Sequence, residues 1–129
     1  MWNNGKYTPH AIEQTTEPDP KLGRIDFSEN WNRKLYTDCF TTIRRSSNKY
    51  KQYARYNIYF KGLYIGQAIV LQVQKFALGK LPPITATLDT GCSPQQTRQI
   101  FQFYYPDVTD QTEMMLLLLQ FTHRCPPTN

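Results

Sequence analysis

The stretch Y-I-G-Q-A-I-V-L-Q-V-Q-K-F, residues 64–76, decides the fold. Apolar and polar residues alternate along it for about twelve positions, the period of an extended strand with one buried face. Its apolar members Ile65, Ala68 or Ile69, Leu71 and Val73 do not keep one parity. The spacing therefore predicts a bulge near Gly66, where a residue without a Cβ tolerates the bend. A strand this long, bent in this way, is expected to curl around a barrel.

The neighbouring segments extend the same pattern. Upstream, R-Y-N-I-Y-F (55–60) alternates with Tyr56, Ile58 and Phe60 on one face, and Lys61-Gly62 makes the turn into the long strand. F-T-T-I-R (40–44) is a strand of β-branched and aromatic residues, followed by the polar loop R-S-S-N-K-Y-K-Q-Y (45–53). Before it, R-I-D-F-S-E-N-W-N-R-K-L-Y (24–36) predicts a short strand and then a helix of roughly two to three turns, capped by Ser28, with Trp31 and Leu35 facing inward. Downstream, Pro82-Pro83 opens a short helix that Gly91 closes. Ser93-Pro94-Gln95-Gln96 then has the layout of a capping box for a helix running to about Tyr104, with Ile100, Phe101 and Tyr104 as its buried stripe and Pro106 as its stop. E-M-M-L-L-L-L-Q-F-T-H (113–123) is apolar on both faces and reads as a central strand. The expected fold is α+β: a small barrel of five to six mostly antiparallel strands with two to three helices at its ends. Residues 1–24 are expected to form an extended or poorly ordered arm, packing through Trp2, Tyr7 or Ile12 if at all. Residues 25–123 form the domain, and 124–129 a short tail.

Composition narrows the function. The chain has 129 residues, 40% of them hydrophobic, enough for one core. Its longest apolar run, Met114 to Leu119, is far short of the roughly 20 residues of a membrane helix. M-W-N-N-G-K-Y at the start does not resemble a secretory signal, so a soluble, cytoplasmic protein without membrane attachment is expected. Cys39, Cys92 and Cys125 lack zinc-ligand spacing and His10 and His123 lie near the chain ends, so no metal or other cofactor is expected, and the thiols read as inert, with Cys39 buried at a strand start. Charge is segregated. Between Trp31 and Leu88 ten basic residues meet a single acid, Asp38, which points to a phosphate-bearing partner or to an acidic protein.

Several residues in this basic middle are candidates for binding. Thr42 and Arg44 share one parity of their strand, so hydroxyl and guanidinium point to one face, where the guanidinium can clamp a phosphate or carboxylate or be held in a buried ion pair. Arg45, of opposite parity, should reach solvent. Lys49, Tyr50, Lys51, Tyr53, Arg55 and Tyr56 interleave cations with rings, the composition single-stranded nucleic acid uses for phosphate contact and base stacking, though Tyr56 reads more naturally as core. With Thr41, Arg44 and Arg45, the cations and rings from Lys49 to Arg55 form the candidate ligand-binding set.

T-T-I-R (41–44), the basic loop, I-G-Q-A-I-V-L-Q-V (65–73), the step Leu78 to Leu81, a helix ending in Tyr-Pro (105–106) and the closing apolar strand together resemble the ASCH domain, the activating-signal-cointegrator homology group related to RNA-binding PUA barrels. The resemblance covers roughly residues 25–122. It implies a PUA-like barrel with a cleft near the T-I-R strand suited to RNA, a nucleotide or a modified nucleoside. It also implies a second possibility, because some members are hydrolases: one branch deacetylates acetylcytidine with a lysine, a threonine and a glutamate, and another member type is a ribonuclease. On that pattern the threonine is Thr42. The family's lysine position holds Cys39, leaving Lys34 as the nearest upstream lysine, and Asp89 stands near the carboxylate position. Such a trio works only if a base takes the hydroxyl proton and burial lowers the lysine's proton affinity. The competing structural roles are a β-former for Thr42, a solvated helix residue for Lys34 and a turn-former for Asp89. A module that only meets an acidic protein is the third possibility.

Overall fold

The long strand is the spine of the molecule. The computed structural model describes residues 11–126. Its strands are β1 (Glu13–Gln14), β2 (Gly23–Phe27), β3 (Cys39–Arg45), β4 (Arg55–Phe60), β5 (Leu63–Ala77) and β6 (Glu113–Arg124), and its helices are α1 (Pro83–Thr90) and α2 (Pro94–Tyr104). They form one mixed sheet in the order β1-β6-β5-β4-β2, with β3 paired to β6. The β3–β6, β5–β6 and β4–β5 pairings are antiparallel, whereas β1–β6 and β2–β4 are parallel.

The strand bends at more than one place, and its glycine accounts for the first. The register shifts opposite Ile58/Tyr59 and again between Gln67 and Ala68 and between Val70 and Gln72. Gly66 sits at φ 153°, and a Cβ there would lie 2.1 Å from the carbonyl oxygen of His123, so only glycine lets β5 and β6 approach. The hairpin into β5 uses Lys61 and Gly62 at φ 51° and 80°, the backbone of a type I′ turn, whose twist matches that of the strands it joins.

These bends roll the sheet, but among the described residues it does not close into the expected barrel. Instead β2 and β3 face each other across a seam without backbone pairing, joined by the rings of Phe27 and Phe40 at 5.9 Å, edge to face. Within the roll lie Ile25, Leu35, Tyr56, Ile58, Val70, Leu117, Leu119 and Phe121. On the other face of β6, Met114 packs with Ile43, Leu78, Leu81 and Phe101 beneath the helices. The two apolar faces of β6 thus serve two cores, which is why its sequence shows no polar alternation.

Two helices form as their caps dictate. Gly91 ends α1 at φ 78°, and Ser93 and Gln96 make the reciprocal capping box of α2. Tyr104 departs from the expected buried stripe: it is 45% exposed, while Phe101 and Thr97 are buried. The segment after β2 departs further. In place of a helix capped by Ser28, Trp31–Tyr36 is a 3-10 stretch broken by Asn32 and Arg33 at φ 57° and 53°. The Asn30 carboxamide accepts the Leu35 amide at 2.8 Å, and Asn32 donates to the carbonyls of Thr87 and Leu88, so it caps α1 rather than extending its own helix. Strand β2 begins at Gly23. Ile12 packs on the inner core, and Trp2 and Tyr7 lie outside the described residues.

Candidate functional site

The seam between β2 and β3 holds the site. A cleft of about 110 Å³ is walled by Phe27, Trp31, Lys34, Thr42, Arg44 and Asp89, with Tyr104 and Tyr105 at its helical side. Three elements carry its inner polar walls. Lys34 is carried by the 3-10 stretch, Thr42 and Arg44 by β3, and Asp89 by the last turn of α1.

The 3-10 stretch is anchored twice. Asn32 ties it to α1, and Arg124 of β6 donates to the carbonyls of Leu35 and Thr37 at 3.0 and 2.6 Å while its guanidinium lies 4.0 Å over Phe121. These clamps set Lys34 against Asp89, whose Oδ1 accepts from Lys34 Nζ at 2.9 Å, with side chains 6% and 4% exposed. Lys34 is therefore a buried ion-pair partner and not a solvated helix residue. Burial lowers its proton affinity, Asp89 restores part of it by attraction and hydrogen bonding, and nearby Arg44 lowers it further.

The two adjacent threonines divide the polar contacts. Thr41 Oγ1 donates to Asp89 Oδ1 at 3.0 Å, whereas Thr42 Oγ1 accepts from Arg44 Nε at 3.0 Å. The Arg44 guanidinium stacks over Phe27, 4.6 Å from the ring centre. Among the described residues it has no carboxylate within ion-pair distance; Asp89 and Asp26 act on it only from farther away, and desolvation lowers its proton affinity. The inner cleft therefore contains two cations and one carboxylate. Glu29 is the other acid on its walls and stands exposed at the mouth.

The basic loop contributes unevenly. Tyr50 is half-buried and packs 6.3 Å from Tyr56, with the Lys49 ammonium 5.6 Å from its ring. Burial raises the Tyr50 hydroxyl's pKa, and Arg44 pulls it back. Tyr56 is core, its hydroxyl donating to the Lys49 carbonyl and accepting the Lys51 amide. Tyr53 is exposed at φ 67°, and Lys51 is exposed. Arg55 belongs elsewhere: it bonds Gln67 and borders a separate cavity near His123 that shares no wall with the cleft. Arg45 does reach solvent, paired with Asp107 at 3.1 Å. Cys39, expected to be buried, is exposed. Sequence reasoning did not reach Asn32, Arg124, or the cleft roles of Trp31 and Tyr105. Only the W-N-R spacing could have hinted at Asn32, as a left-handed asparagine. Among the described residues no three His, Cys, Asp or Glu side chains are placed to hold a metal ion, and no helix is long and apolar enough to cross a membrane.

The rolled sheet, the helix pair beneath it and the seam define an ASCH-type fold. No family model matches the chain, and neither does any curated protein. Among solved structures it is similar to ZmASCH from Zymomonas mobilis: a serine-to-alanine variant at 20% identity and TM-score 0.60, covering 88% of this chain and 77% of that one. A tyrosine-to-phenylalanine variant matches at 19% identity and TM-score 0.57, covering 84% and 76%. The fold is what this likeness carries, and the ASCH resemblance read from the sequence agrees with it.

Proposed function

We propose that the chain is an ASCH-type, PUA-like module that binds a nucleotide, free or within RNA, by its phosphate in the basic cleft around Thr42 and Arg44. The observation that carries this is Arg44: a guanidinium drawn out of water, oriented through Nε by Thr42, with no carboxylate paired to it among the described residues. Its terminal amino groups suit the bidentate geometry of a phosphate, and the buried Lys34 adds a second positive charge. At about 110 Å³ the cleft is far below the roughly 300–1,000 Å³ of sites that enclose drug-sized ligands, but it can admit one phosphoryl group. The test is a titration with adenosine monophosphate and short single-stranded RNA. Binding to the wild type that falls at least tenfold in Arg44→Gln supports the reading, and equal affinity in both proteins overturns it.

Amide hydrolysis is the second reading, favoured by a buried lysine of lowered proton affinity lining the same cleft as Thr42. Two features weigh against it. The hydroxyl facing the cleft is bonded to a guanidinium, which takes no proton, and the hydroxyl bonded to a carboxylate, Thr41, is not among the cleft walls. Acetylcytidine turnover lost in both Thr42→Ala and Lys34→Ala would reinstate hydrolysis.

A further inference from the structure

The cleft borders a wider groove of about 470 Å³ whose chemistry is different. The two share Trp31, Ile100 and Tyr104 as common walls. Beyond them the groove adds Phe103, Gln96, Gln99 and Cys92, and none of its walls carries a charge. Because Thr97 and Phe101 turn inward, the helical repeat puts Gln96, Gln99 and Phe103 on the outer side of α2. Phe103 is 79% exposed, its ring edge-to-face with Tyr104 at 5.4 Å.

We infer that this groove is the base subsite: with phosphate held at Arg44, the nucleobase of the same nucleotide lies against Phe103, Tyr104 and Trp31 and is read by the Gln96 and Gln99 carboxamides. The inference rests on the phosphate reading of the cleft and specifies the ligand as a nucleotide rather than a bare anion. Charge separates the parts. A phosphate belongs where cations are unpaired, and a neutral planar base belongs on an uncharged wall of rings, where stacking is favourable for any base. Carboxamides offer a donor and an acceptor side by side, the pattern that pairs with the edge of adenine. Continuity through Trp31 and Tyr104 lets a single ligand span both.

Titration of the whole chain with inorganic phosphate, ribose 5-phosphate and adenosine monophosphate tests this, using wild type, Phe103→Ala and Gln99→Ala. Phe103 and Gln99 are exposed and lie outside the cleft walls, so both variants keep the fold and the phosphate site. The expected result is that adenosine monophosphate binds wild type about tenfold or more tighter than ribose 5-phosphate, the increment of one stacked base. Phe103→Ala should bring the two ligands to equal affinity and leave ribose 5-phosphate unchanged, with Gln99→Ala giving a smaller loss confined to the base-bearing ligand. Undiminished binding of adenosine monophosphate by Phe103→Ala would overturn the base subsite while leaving the phosphate site standing. Failure of wild type to bind any of the three would overturn both. A Phe103→Ala change in sedimentation with no change in nucleotide affinity would also overturn it, making the groove a face for a second copy of this chain.

Discussion

Asp89 balances a lysine that the fold has taken almost wholly out of water, so removing the carboxylate leaves an uncompensated buried charge. Asp89→Asn is expected to lower stability by about 3–5 kcal/mol in urea denaturation, the cost of breaking such a pair from one side. Replacing both partners, Lys34→Met with Asp89→Leu, should recover most of that loss, because apolar side chains of similar size carry no desolvation cost. The double variant would then be folded but defective in ligand binding, separating the pair's functional role from its structural one. The same burial sets a pH dependence. Since the folded-state pKa of Lys34 lies below its unfolded value of 10.5, the unfolded chain binds more protons between the two. Lys34 therefore adds stability as pH rises through its folded pKa toward 10.5, and loses that contribution as pH falls. Subtracting the curve of the Lys34→Met, Asp89→Leu double variant from wild type isolates the pair's slope from those of the tyrosines and thiols without leaving either charge buried alone, and a flat difference from neutral pH upward would contradict it.

At the level of elements, the 3-10 stretch is where the site is most vulnerable, because it has little hydrogen bonding of its own and is held by side chains from α1 and β6. Arg124→Ala removes two bonds to its carbonyls. The expected outcome is a stability loss of about 1–3 kcal/mol. Nucleotide affinity should fall alongside it, measured by titration at a temperature where the variant is folded. Asn32→Gly tests the other anchor: glycine keeps the φ of 57° but loses the cap on α1, so a decline in affinity there reports the tether and not backbone strain. In β5, Gly66→Ala should disrupt pairing with β6 outright. Strands β2 to β6, both helix caps and the Gly66 bend were legible because each depends on near neighbours in sequence: alternation, a proline at the start, a glycine at the end; β1, inside the expected arm, was not. The 3-10 stretch was not, since Asn32 and Asn30 take their conformations from contacts with Thr87, Leu88 and Leu35. Nor was closure of the sheet, which fails where charged side chains from distant segments, Lys34 and Arg44, gather on the ring of Phe27. Thr42, Arg44, Lys34 and Asp89 were candidates from strand parity and from the ASCH resemblance, and the fold lines one cleft with them, but their pairing was not legible, because adjacent threonines on a strand face opposite sides and only the fold says which meets Asp89.

For the whole molecule, the segregation of charge along the chain has a folding consequence that limits its reach toward a polyanion. Several bases of the middle segment are matched in space by acids that follow it: Lys34 with Asp89, Arg45 with Asp107, and Lys75 with Glu113. A sequence that reads as a strongly basic stripe therefore folds with part of its charge partnered, and the cations that line the cleft itself are two, Arg44 and the ion-paired Lys34. The salt dependence of binding should reflect that small number. For single strands the slope of log K against log salt is about −0.7 per phosphate contact, so two contacts predict a slope near −1.4 and only about a sevenfold loss of affinity between 50 and 200 mM salt. Arg44→Gln should bring the slope to about −0.7, along with its loss of affinity. A wild-type slope several times steeper would mean that exposed cations outside the cleft, Lys49 and Lys51 among them, engage a long RNA, placing the contact surface along the loop from Ser46 to Ala54 rather than in the cleft. A slope of zero with turnover of acetylcytidine would instead assign the cleft to a neutral nucleoside, because hydrolysis of an uncharged amide releases no counterions and would draw on Lys34, Thr42 and Asp89 together.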